Sequence, residues 1–240
     1  VMKAVRTNLR HNAKLIKICA SGGVMSEVDH PIHQQFSDDE LAAIVQEAGR
    51  AERIVAAHCH GKPGIMAALR AGVKTIEHGS YLDEEAADLM IETGAILVPT
   101  RFVIEQLKAT ADQLPGYVYE KLMSVADHHE AALKMAIAKG VPIAVGCDII
   151  QSGPTYGQNS REIVHLVNAG MTDLEAIEAA TAFAPATLGP QAPQSGQLSV
   201  GFAADVIALA RNPLDHRNVW GDPDSVTHVW KAGALEKSPA

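Results

Sequence analysis

Five times along this chain a short apolar run is followed by a longer segment of helical period, and that alternation narrows the fold more than any other feature. A helix between two strands carries the chain back to the end of the sheet it left, so consecutive strands run parallel and their apolar faces lie under helices. The runs expected to be strands are 14–20, 53–58, 73–78, 95–99 and 142–148. Helices are expected at 38–50, after Gly61-Lys62-Pro63 through Ala71, from Asp83 to Gly94, at 117–139, at 160–169 and at 173–181. Ser37 with Glu40, and Thr172 with Glu175, have the spacing of capping boxes. Beyond Pro190 the helical period is lost, and 191–240 reads as turns with short strands at 204–210 and 225–231. The expected organisation is an α/β domain over 1–190 and a small β-sandwich appendage over 191–240. Five βα units suit either an open doubly wound sheet or part of an eight-stranded barrel, and the pattern alone does not choose.

Composition removes several classes. With 240 residues, 47% of them hydrophobic and 20% charged, the chain can bury a core, which excludes disordered, collagen-like and small disulfide-stapled proteins. A formal net charge of −8 and the lack of any basic run argue against nucleic acid as a partner. No apolar stretch approaches the roughly 20 residues of a membrane span, and the first residues lack an apolar targeting core. The expectation is a soluble cytoplasmic protein that acts on a small molecule. The three widely spaced cysteines form no disulfide framework and fit a reducing compartment.

Ligands of parallel α/β sheets gather at the C-terminal ends of strands. Lys17 lies within the first expected strand, His58 and His60 at the end of the second, His78 at the end of the third and Asp148 at the end of the fifth. Any one of these has a bland explanation as a hydrogen-bonding or turn residue, but their coincidence points to a hydrolytic metal site built from imidazole and carboxylate. Lys17 is flanked by apolar residues, so its strand is expected to be buried on both faces, and an ammonium there needs a partner. Arg101, just past the fourth strand, is either a carboxylate clamp for the substrate or an ordinary surface arginine. His30 and His33 lie in a loop above the strand ends, facing substrate or solvent, and His128, His129 and His165 read as packing or surface residues.

Four segments carry a family resemblance: Ile16-Lys17-Ile18-Cys19-Ala20-Ser21-Gly22-Gly23, Ala57-His58-Cys59-His60-Gly61, Thr75-Ile76-Glu77-His78-Gly79 and Gly146-Cys147-Asp148. In order and spacing they resemble the metal-dependent amidohydrolase superfamily, nearest its imidazolonepropionase-like and Xaa-Pro or Xaa-Arg dipeptidase (prolidase-type) branch. The resemblance implies a TIM-type (β/α)₈ barrel and two divalent metal ions of the zinc type. It makes Lys17 a CO₂-derived carbamate that bridges them, His58 and His78 ligands, and Asp148 a ligand that also shuttles the proton. His60 is expected to contact substrate. The implied reaction is hydrolysis of an amide or peptide C–N bond, in a dipeptide or N-acyl amino acid, by metal-activated water; a cyclic amide such as an imidazolone is the alternative.

One departure stands out. The family's first strand bears a His-x-His pair, whereas only His11 precedes Lys17 here. The chain is therefore expected to begin near the fourth barrel strand and to contribute about five βα units. The same departure supports a reading of another class, a partial barrel or binding module without catalysis. Its two unpaired strand edges would invite pairing between chains, as in a homo-oligomer.

Overall fold

A computed structural model describes residues 1–149 and 155–239. The chain opens with helix α1 (Met2–Arg10), then β1 (Ile16–Cys19), α2 (Asp38–Gly49), β2 (Val55–Cys59), α3 (Lys62–Ala71), β3 (Thr75–His78), α4 (Glu84–Thr93) and β4 (Ile96–Val98). These four strands form one parallel sheet in chain order. Helices α5 (Arg101–Ala109), α6 (Gly116–Lys139), α7 (Arg161–Ala169) and α8 (Asp173–Ala180) follow, then an antiparallel sheet of β5 (Val206–Leu209), β6 (Val226–Lys231) and β7 (Ala234–Lys237). No described helix is long and apolar enough to cross a membrane.

Alternation along the strands sorts the sheet into two faces. Ile16, Ile18, Val55, Ala57, Cys59, Ile76 and Leu97 pack with Leu41, Ile44, Ile65, Leu69 and Met90 of the helices into one continuous core. The register aligns the opposite face: Lys17 beside Ala56 and Thr75, then Cys19 beside His58 and Glu77. This inner face carries nearly all the polar residues of the sheet. Both expected capping boxes are present, with the Ser37 and Thr172 hydroxyls accepting from the Glu40 and Glu175 amides and the two glutamates reaching back.

The structure differs from the sequence reading in five places. Lys17 and Cys19 are exposed, because helices cover only the outer face of β1 and leave its inner face open. The strand expected at 142–148 reduces to a parallel bridge between Leu97 and Ile143. Val145 N–H donates to the Ala179 carbonyl at 3.0 Å instead of to the sheet. Gly146 then passes so close to β4 that a Cβ there would lie 2.3 Å from the Val98 side chain. The excursion after β4 contains helix α5, the first residues form α1, and β7 completes a third strand of the terminal sheet. The sequence after the fifth expected strand is glycine-rich over 152–157, and part of that stretch lies outside the described residues. The terminal segment is tied to the helices by the Arg217 fork on Asp173, at 2.6 and 2.7 Å, and by Gly221 N–H donating to Ser160 Oγ.

Candidate metal centre

Three imidazoles meet at the ends of β2 and β3. One candidate ligand atom from each of His58, His60 and His78 can be chosen so that all lie within 4.8 Å of one another. The His58 and His78 rings are 4.6 Å apart edge to face, and those of His60 and His78 stack at 4.7 Å. His58 reaches this point by simple alternation on the inner face. His60 lies just beyond β2, where its backbone N–H donates to Ser21 Oγ at 2.8 Å.

His78 arrives by another route. Its register partner is Cys59, so a regular strand would aim it at the outer core. Its φ of 74° places it instead in the left-handed region and brings the ring beside His58. Such a conformation costs a non-glycine residue roughly 1–3 kcal/mol and is held by its surroundings. Asp148 (φ 49°) and Thr100 (φ 54°) share it, so the left-handed region recurs around this site.

Each ring commits one nitrogen to the protein. His58 Nε2 lies 3.2 Å from the Gly22 carbonyl, which can only accept, so Nε2 carries the proton and Nδ1 keeps the lone pair. His60 Nδ1 is 2.7 Å from Ser80 Oγ, and His78 Nδ1 is 2.6 Å from Thr100 Oγ1. When those hydroxyls accept, both Nε2 lone pairs remain for a cation. Burial lowers the pKa of His58, helped by the Lys17 charge and opposed by the Gly22 carbonyl and Asp148. His60 and His78 are driven well below the ordinary imidazole value, first by burial and then by the neighbouring imidazoles. The cluster is therefore uncharged at neutral pH, the state a metal needs. Three neutral imidazoles with a nearby carboxylate fit a first-row divalent ion of the zinc type.

The imidazoles line a cavity of about 320 Å³, together with Cys19, Ser21, Ser26, Asp29 and Asp148. Its other wall is aliphatic, formed by Val24, Val103, Ile104, Leu107 and Leu122. Asp148 thus shares the cavity with the imidazoles. Lys17 stays on the inner face of β1, one register row below His58, and acts on the cluster through its charge. His60, expected as a substrate contact, sits among the candidate ligand atoms.

Arg101 is not brought to this site. The expected clamp is buried, with Nη2 2.5 Å from Glu105 and 3.1 Å from Glu130 and Nη1 donating to the Ala126 carbonyl, so its guanidinium is already committed. It lines a separate cavity with Lys108, Lys134 and His165.

The sequence reading missed Ser80 and Thr100, which hold the rings. It also missed Glu77, whose carboxyl sits on the inner face 2.6 Å from the Thr75 hydroxyl and is raised in pKa by burial against the pull of Lys17. A hydroxyl residue two places after the last residue of β3 and of β4 was the available signal for Ser80 and Thr100.

The model of the amidohydrolase family matches residues 1–235. The ochratoxinase of Aspergillus niger is 52% identical over 241 residues, an alignment that covers 100% of this chain and 49% of that protein. Its crystal structure superposes with a TM-score of 0.92 at 51% identity, covering 54% of that chain. A solved Xaa-Pro dipeptidase with bound methionine in its active site matches at 35% identity and a TM-score of 0.90, over 99% of this chain and 58% of its own. A prolidase complexed with N-methylphosphonate-L-proline matches at 35% identity and 0.92, with the same two coverages. The chain thus spans about half the length of the curated relatives it matches.

Proposed function

The chain belongs to the amidohydrolase family, and from that premise we propose that it supplies the imidazole part of a metal-dependent hydrolase that cleaves an amide or peptide C–N bond. The carrying observation is the cluster of three neutral imidazoles at the strand ends, His60 and His78 buried and His58 half-buried, open to a cavity of about 320 Å³. Residues His58 and His78 are the ligands in this reading, with His60 between ligation and substrate contact. Such an ion supplies Lewis acidity at the scissile carbonyl and makes water acidic enough to react near neutral pH. Asp148 takes the proton of the attacking water and returns it to the leaving amine. Lys17 enters as a CO₂-derived carbamate, which replaces a repelling ammonium by anionic oxygens and allows a second ion. The barrel is the (β/α)₈ type, of which the described parallel sheet is one part, a reading supported by the fit to the dipeptidase and prolidase structures. A dipeptide or N-acyl amino acid is the substrate class, in keeping with those two relatives.

The test is elemental analysis of the purified chain after loading with Zn²⁺ alone. At least one equivalent is expected, lost in His58→Ala and His78→Ala; an unmetallated wild type would overturn the reading. In the full-length protein, Asp148→Asn is expected to keep its metal and lose turnover by about 10²-fold or more, in the range for removal of a general acid–base. Wild-type turnover would remove Asp148 from the proton transfer.

A further inference from the structure

Residues 99–102, which lead from β4 into the first turn of α5, are gripped from three sides. The Pro99 carbonyl accepts from His129 Nε2 at 2.6 Å. Thr100 sits at φ 54°, an unfavourable conformation for a β-branched residue, and its hydroxyl meets His78 Nδ1. The amides of Arg101 and Phe102 donate to the two carboxylate oxygens of Glu162, at 2.8 and 2.6 Å. Those amides belong to the first turn of α5, which has no side-chain cap of its own.

Glu162 is an unusual choice for that task. It comes from α7, 61 residues away from Arg101, and is 0% exposed. Among the described residues its side chain makes no salt bridge and bonds only to those two amides. A serine or aspartate at the N-cap would satisfy a first turn locally and without burying a charge. What the distant carboxylate adds is a fixed position for the residue immediately before the two amides, and that residue is Thr100.

We propose that Glu162 is a positioning residue for His78: by clamping the amides of residues 101 and 102 it holds Thr100 in its left-handed conformation, and the Thr100 hydroxyl fixes the His78 ring with its proton on Nδ1. Nε2 of His78 is then left as the cation-binding atom. The inference rests on the reading of His78 as a ligand, and the experiment separates the two. Partners that orient a ligating histidine are typically worth about 10–100-fold in metal affinity.

The test titrates Zn²⁺ alone into the metal-free full chain and reads the His78 tautomer from ¹⁵N ring shifts. Glu162→Gln, which can accept from only one of the two amides, is expected to weaken Zn²⁺ about tenfold or more and to mix the His78 tautomers. Thr100→Val should show the same loss, Thr100→Ser should restore affinity, and the double variant Glu162→Gln/Thr100→Val should be no weaker than its weaker parent. Loss of Zn²⁺ in His78→Ala combined with wild-type affinity and tautomer in Glu162→Gln would overturn the positioning role and leave the ligand. Undiminished Zn²⁺ affinity in His78→Ala would overturn the ligand reading itself. Should Glu162→Gln not fold, Thr100→Val decides: wild-type affinity and tautomer there also overturn the proposal.

Discussion

His129, 1% exposed and donating to the Pro99 carbonyl, has its pKa brought down to about 4 by burial, and His60 and His78 move in the same direction. An unfolded histidine titrates near 6.5, so below that pH the unfolded chain takes up protons that the native chain refuses. Their contribution to stability is complete above 6.5 and is lost as the pH falls towards the folded value. Glu162 has the opposite sign: its folded pKa is raised to about 7 from 4.5, so its contribution is complete below 4.5 and lost as the pH rises through 7. Between 4.5 and 6.5 the raised carboxyls of Glu162 and Glu77 oppose the imidazoles, but His58 and His165 are lowered by burial as well, so the histidines outnumber the carboxyls and tip the balance towards acid destabilisation. Urea unfolding of the metal-free chain should therefore give a free energy lower at pH 5 than at pH 6.5 by about 1–3 kcal/mol, at roughly 1.4 kcal/mol per unmatched proton and pH unit. His129→Gln should flatten that slope, and equal stability of the wild type at the two pH values would contradict the assignment. Among single residues, His58, His60 and His78 were legible because strand-end position and spacing are written in the sequence. The support of His78 was not, since it depends on left-handed backbone at residues 78 and 100 and on a carboxylate far along the chain.

Helix α5 shows how an unrecognised element misplaces a side chain. Read as loop, Arg101 is free to point at substrate; as the first residue of a helix it faces Glu105 one turn on, and the pair closes at 2.5 Å. The apolar residues 102, 103, 104 and 107 had helical spacing, but Thr100 at the N-cap turns its hydroxyl to His78 instead of capping the helix, and Glu162 bonds the first-turn amides from α7. Helix α1 was illegible for a simpler reason: it buries only Val5, so no apolar stripe marks it. Helix α6, by contrast, was read nearly to the residue, and it also secures the loop over the cavity. Lys121 Nζ donates to the Ser26 carbonyl at 2.5 Å and to the Asp29 carbonyl, and Ser26 and Asp29 both line the cavity. Lys121→Met should release that loop. The expected result is faster limited proteolysis within 24–30, with Zn²⁺ affinity within about threefold of wild type because the imidazoles hang on other elements. Unchanged cleavage would show that the loop is held by its own contacts. At the start of α2, Ser37→Ala should lower the unfolding free energy by about 1 kcal/mol, the usual worth of an N-cap.

The candidate centre draws on elements that only the folded molecule brings together. Its rings come from the ends of β2 and β3, and their hydrogen-bond partners from Gly22 after β1, Ser80 after β3 and Thr100 before α5. The parallel order that makes this convergence was legible from the alternating pattern. That the inner face of β1 lies open was not, since the apolar neighbours of Lys17 do not show which face the helices cover. A cation held by these rings binds the native chain and finds no preformed site in the unfolded one. Linkage then sets the size of the effect: free Zn²⁺ at a hundred times its dissociation constant stabilises by about 2.7 kcal/mol. For a chain of this length each kcal/mol raises Tm by roughly 2–4 °C, so an increase of about 5–10 °C is expected, reversed by chelator. The gain should vanish in the double variant His58→Ala/His78→Ala, because the remaining imidazole offers a single ligand and no chelate. If the variant gained as much as the wild type, the ion would be acting at some other part of the surface and the three-imidazole cluster would lose its claim to it.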